Sequence, residues 1–379
     1  MSMKRAFSAV LVGGLALTLS GVARAQGDGS RIEEVVKKSA LTPEDLAVID
    51  GFVGDAIGRL VRTIDFTAVA ATRTTILSRQ GTQPEYARRF SQATARELAR
   101  GFEYARTEIS SPENRFKVLT NLLILINDLN DPNLLDLAID AIPHENSAVR
   151  YWAVRAATNP GTWAKLSSGQ GNAAQIASRV VGACLKVVGT SRPEILHLMA
   201  AFTDQYSSPA ATDLLLRIGD ERIGSYADWA VRYELVDTAI LKRLSNQISS
   251  GGTTDQELAK RFSQLYSFAI QRFIRGSRDN ALKGLSKNYL AAVLVETEEQ
   301  CIGKLLGSPQ AGIQRALQAG DLGALQAEHD KLLGGPNQPG ALPSKFRFTY
   351  GAAGRTQQMP LTLPEPPQPK APGQTQPGS

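Results

Sequence analysis

From residue 30 to about residue 333, apolar positions recur at helical spacing, and the two-residue alternation of half-buried strands is almost absent. The stretch from Asp131 to Pro160 shows the pattern best. Asp131 suits a helix cap and Pro132 a first helical position, where no amide hydrogen is needed. Leu134, Leu135, Ala138, Ile139 and Ile142 form one apolar stripe, ended by Pro143 and the polar run from His144 to Ser147. Val149, Trp152, Ala153, Ala156 and Ala157 form the stripe of a second helix, which Asn159-Pro160-Gly161 is expected to stop. Trp152 sits among alanines on that stripe and is expected in the core, as is Trp229. Two short helices with one apolar face each cannot bury those faces alone, so similar neighbours are expected on both sides.

The same punctuation recurs elsewhere. A capping residue followed by proline stands at Thr42-Pro43, Ser111-Pro112, Ser208-Pro209 and Ser308-Pro309, each suited to open a helix. Amphipathic segments are expected over 43–61, 65–79, 84–106, 112–129, 172–188, 193–206, 227–248, 254–275 and 282–306. The run LTNLLILIND within 112–129 is apolar almost all round, which predicts a helix buried between layers; the alternative is a strand through LLILI.

The unit at 131–160 resembles a HEAT repeat, in the spacing of Leu135, Ala138 and Ile142 and then of Val149-Arg150, Ala153, Ala156 and Ala157. In that family an acidic residue commonly stands five positions before the valine, and here the position is His144. A partial echo covers 208–233, where WAVR recurs at Trp229 to Arg232, 77 residues after Trp152 to Arg155. A second echo, Arg89 to Gln92 against Arg261 to Gln264, has a spacing of 172 that does not share that period. The resemblance, to HEAT-like or armadillo-type repeats, implies an all-α fold, an α-solenoid of stacked antiparallel helix pairs. Such a stack implies a binding surface and no chemistry of its own.

The ends of the chain differ from the middle. Lys4 and Arg5, the apolar stretch from Ala6 to Val22 and Ala23-Arg24-Ala25 together predict a cleavable signal over residues 1–25, hence export to the periplasm or beyond. Its removal takes the formal charge from +6 to +3, too mild to point to nucleic acid, and leaves no integral membrane span. Residues 26–333 are expected to form the helical repeat domain. Residues 334–379 hold ten of the 19 prolines, which predicts a disordered Pro/Gly/Gln-rich tail. Within it, Lys345 to Tyr350 alternates as an extended strand would, and PLTLPEPPQPKAP from Pro360 suits a polyproline II spacer or a ligand for another protein. Cys184 and Cys301, both in apolar helical stretches, are expected as buried free thiols, although one disulfide is open to them.

Candidate chemistry is sparse. His144, His197 and His329 stand apart from one another, and no metal-ligand spacing, phosphate-binding loop, dinucleotide fingerprint or nucleophile elbow occurs after the signal. No metal or cofactor is therefore expected. Asp128 to Asn133 has the outline of a calcium loop but lacks its glycine and places Pro132 where an oxygen ligand is needed. Asp220-Glu221 with Tyr226 and Asp228, or Glu296, Glu298 and Glu299, offer paired carboxylates of the kind that cut polysaccharide. The same acids suit helix ends and solvated faces. Arg89, Arg96 and Arg100, and separately Lys260, Arg261, Arg272, Arg275 and Arg278, make basic clusters that would meet an anionic glycan or headgroup, or else a solvated face.

The expected function is an exported scaffold or binding protein with an envelope protein or glycan as partner, contacted through Arg150, Tyr151, Arg232 and Tyr233. The alternative is an envelope enzyme acting on polysaccharide or peptidoglycan.

Overall fold

A computed structural model describes residues 31–168, 172–206, 208–248, 253–351 and 357–365. The expected signal at 1–25 and the tail beyond 365 lie outside the described residues. The chain divides into two compact units, 1–173 and 174–379. Among the described residues both are all-helical, apart from a two-residue antiparallel pairing in the second, Gly334–Gly335 with Gln338–Pro339.

The first unit contains α1 (31–35), α2 (Pro43–Arg62), α3 (Phe66–Leu77), α4 (Pro84–Thr107), α5 (Pro112–Leu129), α6 (Leu135–Ala141), α7 (Ser147–Ala157) and α8 (Pro160–Ser168). Thr42 and Asp45 cap α2 reciprocally, each side chain taking the other's amide hydrogen. Ser111 accepts from the Asn114 amide ahead of Pro112 to start α5. The LLILI segment is helical and buries Leu122, Leu123, Leu125 and Ile126 against α4 and α7. Helices near in sequence pack on one another: α2 on α4, α5 on α7, and α6 on α7.

The second unit contains α9 (Ala173–Leu185), α10 (Pro193–Gln205), α11 (Pro209–Ala227), α12 (Leu235–Gln247), α13 (Thr253–Arg278), α14 (Gly284–Thr297), α15 (Gly303–Leu306), α16 (Gly312–Ala319), α17 (Leu322–Leu333) and α18 (Ala341–Phe346). The 26-residue α13 is its axis, touching α11, α12, α14, α17 and α18. Residues 262–270 of this helix are buried without interruption, a helix enclosed on all sides. Between α14 and α15 a π turn, Glu298–Ile302, holds a fully buried Glu298, whose carboxylate accepts the Ile313 and Gln314 amides at 2.8 Å each. A carboxylate there satisfies two otherwise orphaned donors and complements the start of α16.

Several sequence expectations change. Asn159-Pro160 ends α7 but also opens α8, because Asn159 Oδ1 accepts from the Gly161 amide at 2.8 Å. Ser308-Pro309 opens no helix, and α16 begins at Gly312. The two WAVR copies have different backbones: the first lies inside α7, whereas the second lies between α11 and α12, in a stretch the sequence assigns to a helix over 227–248. Its cause is the end of α11. Trp229 takes φ 57° and donates its amide to Tyr226, while Ala230 donates to Ser225. That pair of bonds is a Schellman closure, with tryptophan where glycine is usual. Trp152 and Trp229 are half-buried and do not lie in the core.

The segment beginning at 334 also departs from expectation where it is described. Lys345 and Phe346 end α18 and do not extend into a strand. Tyr350 is buried and donates its hydroxyl to the Leu333 carbonyl at 2.7 Å, and Leu363 is 1% exposed. Composition predicts too little apolar surface for a core of its own; Phe348, Tyr350 and Leu363 instead use the core of the helices. Gly340 makes the turn possible, since a Cβ there would stand 2.3 Å from the Gly334 nitrogen.

Candidate functional site

The three polar residues Gln264, Ser267 and Gln271 recur at three- and four-residue spacing on one face of α13. Along that face lies the extended segment 357–365. Gln264 Oε1 accepts the Leu361 amide hydrogen at 2.8 Å, and its Nε2 donates to the Leu361 carbonyl at 3.3 Å. Two turns on, Gln271 Nε2 donates to the same carbonyl at 3.0 Å, and its Oε1 accepts the Leu363 amide hydrogen at 2.7 Å. Two side-chain amides thus satisfy successive main-chain groups as a neighbouring β-strand would, and a primary amide suits this because it carries both a donor and an acceptor.

Further along, the carbonyl of Pro364 accepts two donors, Trp229 Nε1 at 2.9 Å and Arg275 Nη1 at 3.1 Å. Arg275 also lies 3.4 Å from the exposed Glu365 carboxylate. The strained turn that ends α11 therefore places the Trp229 indole. From within, Arg222 and Asp237 hold this turn: they form a bidentate pair at 2.6 and 2.9 Å, with the side chains 1% and 0% exposed. Tyr226 donates its hydroxyl to Asp237 at 2.9 Å, and Arg222 reaches the Arg232 carbonyl at 3.4 Å. Burial and the adjacent Asp237 carboxylate both push the Tyr226 phenol well up, keeping it a neutral donor.

Behind Gln271 runs a second polar chain. Gln271 Nε2 lies 2.9 Å from Ser267 Oγ, Ser267 Oγ lies 2.8 Å from His329 Nε2, and His329 Nδ1 lies 2.8 Å from Asp330 Oδ1. The Asp330 carboxylate accepts, so Nδ1 carries the proton, and Nε2 then accepts from the Ser267 hydroxyl. Burial lowers the His329 pKa against the opposing pull of Asp330, which favours this neutral form. The order Ser, His, Asp is that of an activated nucleophile. Ser267, however, is 0% exposed in mid-helix, and Gln271 donates to its oxygen. We therefore assign the chain to orienting the Gln271 amide. A cavity of about 390 Å³ adjoins it, lined in part by Gln326, His329, Asp330, Met359 and Pro360.

The residues expected to meet a partner fare unequally. Arg150 is buried, its Nε donating to the His144 carbonyl at 3.1 Å, so it faces inward. Tyr151 is half-buried and accepts from Arg155 at 3.0 Å. Arg232 and Tyr233 are exposed on the loop after α11, and Tyr233 takes φ 55°. The acids proposed for catalysis are not assembled around Tyr226, which turns inward to Asp237, while Asp220 pairs with Arg261 at 3.1 Å. Burial raises the Glu221 carboxyl pKa, with a smaller push from Asp228.

The basic clusters are largely engaged. Arg89 and Arg96 reach Asp50 at 2.7 and 3.4 Å, and Arg100 reaches Glu97 at 2.9 Å. Arg261 pairs with Glu257, and Arg272 with the buried Glu234 at 3.4 Å. Cys184 and Cys301 are buried free thiols, and desolvation pushes Cys184 up to about 12. Among the described residues no group of three or more His, Cys, Asp or Glu is placed to hold a metal ion, and no helix is long and apolar enough to cross a membrane.

Sequence reasoning missed Gln264, Gln271 and Trp229 as site residues. The available signals were two glutamines on one helical face and PLTLPE as a ligand-like segment, but nothing local joins residues 97 positions apart. Comparison of the chain with protein-family models, with curated proteins and with solved structures returns no match in any of the three.

Proposed function

We propose that this chain is an exported helical binding protein of the cell envelope, and that the α13 face of its second unit is the surface that holds a protein partner in extended form. The observation that carries the reading is the paired use of Gln264 and Gln271, which meet Leu361 N–H, Leu361 C=O and Leu363 N–H in succession. Main-chain recognition of this kind favours a polypeptide over a glycan, because the spacing matches alternating amide hydrogens and carbonyls. A stacked-pair solenoid in the manner of HEAT repeats remains the architecture we propose for the helices, on the resemblance at 131–160. Export rests on the pattern of residues 1–25 and predicts an exported form beginning at Gln26.

The test is affinity capture from envelope extract, comparing the full chain with its Gln264→Leu/Gln271→Leu variant. A protein retained by the first and lost by the second supports the reading. Equal recovery by both, or recovery of glycan alone, overturns it.

A further inference from the structure

The segment seated on α13 shows which peptides the groove accepts. Pro360 and Leu363 are buried, whereas Leu361, Thr362, Pro364 and Glu365 are exposed. Inward positions three apart are the period of a polyproline II helix, so both anchors project from one side of an extended chain. Leu363 is 1% exposed, whereas Leu361, bound only through its main chain, is 45% exposed. The amide hydrogens that the glutamines use belong to Leu361 and Leu363, and the flanking residues 360 and 364 are prolines, which have none to offer. Beyond the second anchor, Trp229 and Arg275 share the Pro364 carbonyl, and Arg275 adds a positive charge opposite Glu365.

We infer that the groove is selective for extended peptides of the form Pro-x-x-Leu-Pro followed by an acidic residue, presented by another protein, and that residues 360–365 occupy it in cis until such a peptide displaces them. The inference rests on the binding reading above and adds the class of ligand. Position x after the first proline must keep its amide hydrogen, as must the leucine, so proline is excluded at both. The exposed side chains at 361 and 362 impose no other demand. Tethering holds the cis segment at an effective concentration on the order of millimolar, so only a partner of good fit or high local concentration displaces it.

The experiment uses the full chain and a fluorescent peptide spanning residues 359–365, read by anisotropy. The wild-type chain is compared with a Leu361→Pro/Leu363→Asp variant, which removes one amide hydrogen and one buried anchor from the cis segment while leaving the groove residues intact. Circular dichroism establishes that the variant is folded, and a Leu361→Pro single variant, which removes the amide hydrogen taken by Gln264 but keeps the buried Leu363, stands in if it is not. The released variant should bind the peptide saturably and at least about tenfold more tightly than wild type. A peptide with alanine in place of Leu363 should bind about tenfold or more weakly, as loss of a buried leucine anchor requires. Gln271→Leu in the released background should abolish binding. If peptides bind but a scrambled sequence binds equally well, the motif is overturned while the groove stands. If no peptide binds a folded released variant, both the motif and the binding reading fail.

Discussion

Gln271 Nε2 lies 2.9 Å from Ser267 Oγ and 3.0 Å from the Leu361 carbonyl, so a single amide group joins the polar interior of α13 to the main chain lying on its surface. Its orientation is set from behind. With His329 neutral and its Nδ1–H donated to the Asp330 carboxylate, the Ser267 hydroxyl donates inward and presents its lone pairs to Gln271. Gln271 Oε1 is then left facing the Leu363 amide.

This relationship separates positioning from catalysis. Ser267→Ala should leave the fold intact and loosen the segment, seen as faster hydrogen exchange at the Leu361 and Leu363 amides. A fluorophosphonate probe should leave Ser267 unlabelled, since its hydroxyl is enclosed and already bonded. Covalent labelling at Ser267 would instead establish a nucleophile and sink the positioning role.

The buried pair beneath the Trp229 turn gives a prediction for stability. Asp237→Ala strands the Arg222 guanidinium, whose side chain is 1% exposed, and should cost about 3–5 kcal/mol in urea unfolding. The double variant Arg222→Met/Asp237→Leu removes both charges and should lose less than the single one. A double variant no more stable than Asp237→Ala would show that the pair is not the source of the effect.

Trp229 combines a backbone cost with a binding contact. Its φ of 57° is one that glycine adopts freely, and relief of that cost is about 1 kcal/mol. Trp229→Gly should therefore keep the thermal midpoint near that of wild type while the Leu361 to Pro364 stretch exchanges faster. A large fall in the midpoint would mean that the half-buried ring stabilises the turn more than its conformation strains it.

All three histidines are lowered from the ordinary value of 6.5, burial being the first cause in each. In the unfolded chain they bind protons near 6.5, whereas in the folded chain they bind them only at lower pH, so the unfolded state holds more protons throughout that window. Stability should accordingly rise with pH up to about 7 and fall as the solution is acidified below 6.5. Urea midpoints measured across this range check the sign. His329→Asn should flatten the dependence, and a midpoint that increases on acidification would contradict the account.

The sequence by itself determined the local features. Helix starts at Thr42-Pro43, Ser111-Pro112 and Ser208-Pro209 were legible because a cap and its proline act within one turn. The helical state of 112–129 followed from a stripe wide enough to be buried on most sides. The burial of both cysteines was equally plain from their apolar neighbours. Tertiary structure decided the rest. Identical WAVR tetrapeptides took different backbones, because in one case the helix continues and in the other a Schellman closure and the buried Arg222–Asp237 pair end it first. Arg150 was turned inward by the packing around it, which no helical wheel of its own segment contains. Composition could not place Leu361 and Leu363 against Gln264 and Gln271, because the free energy that holds a proline-rich segment on a helix comes from partners some 90 residues distant in the chain.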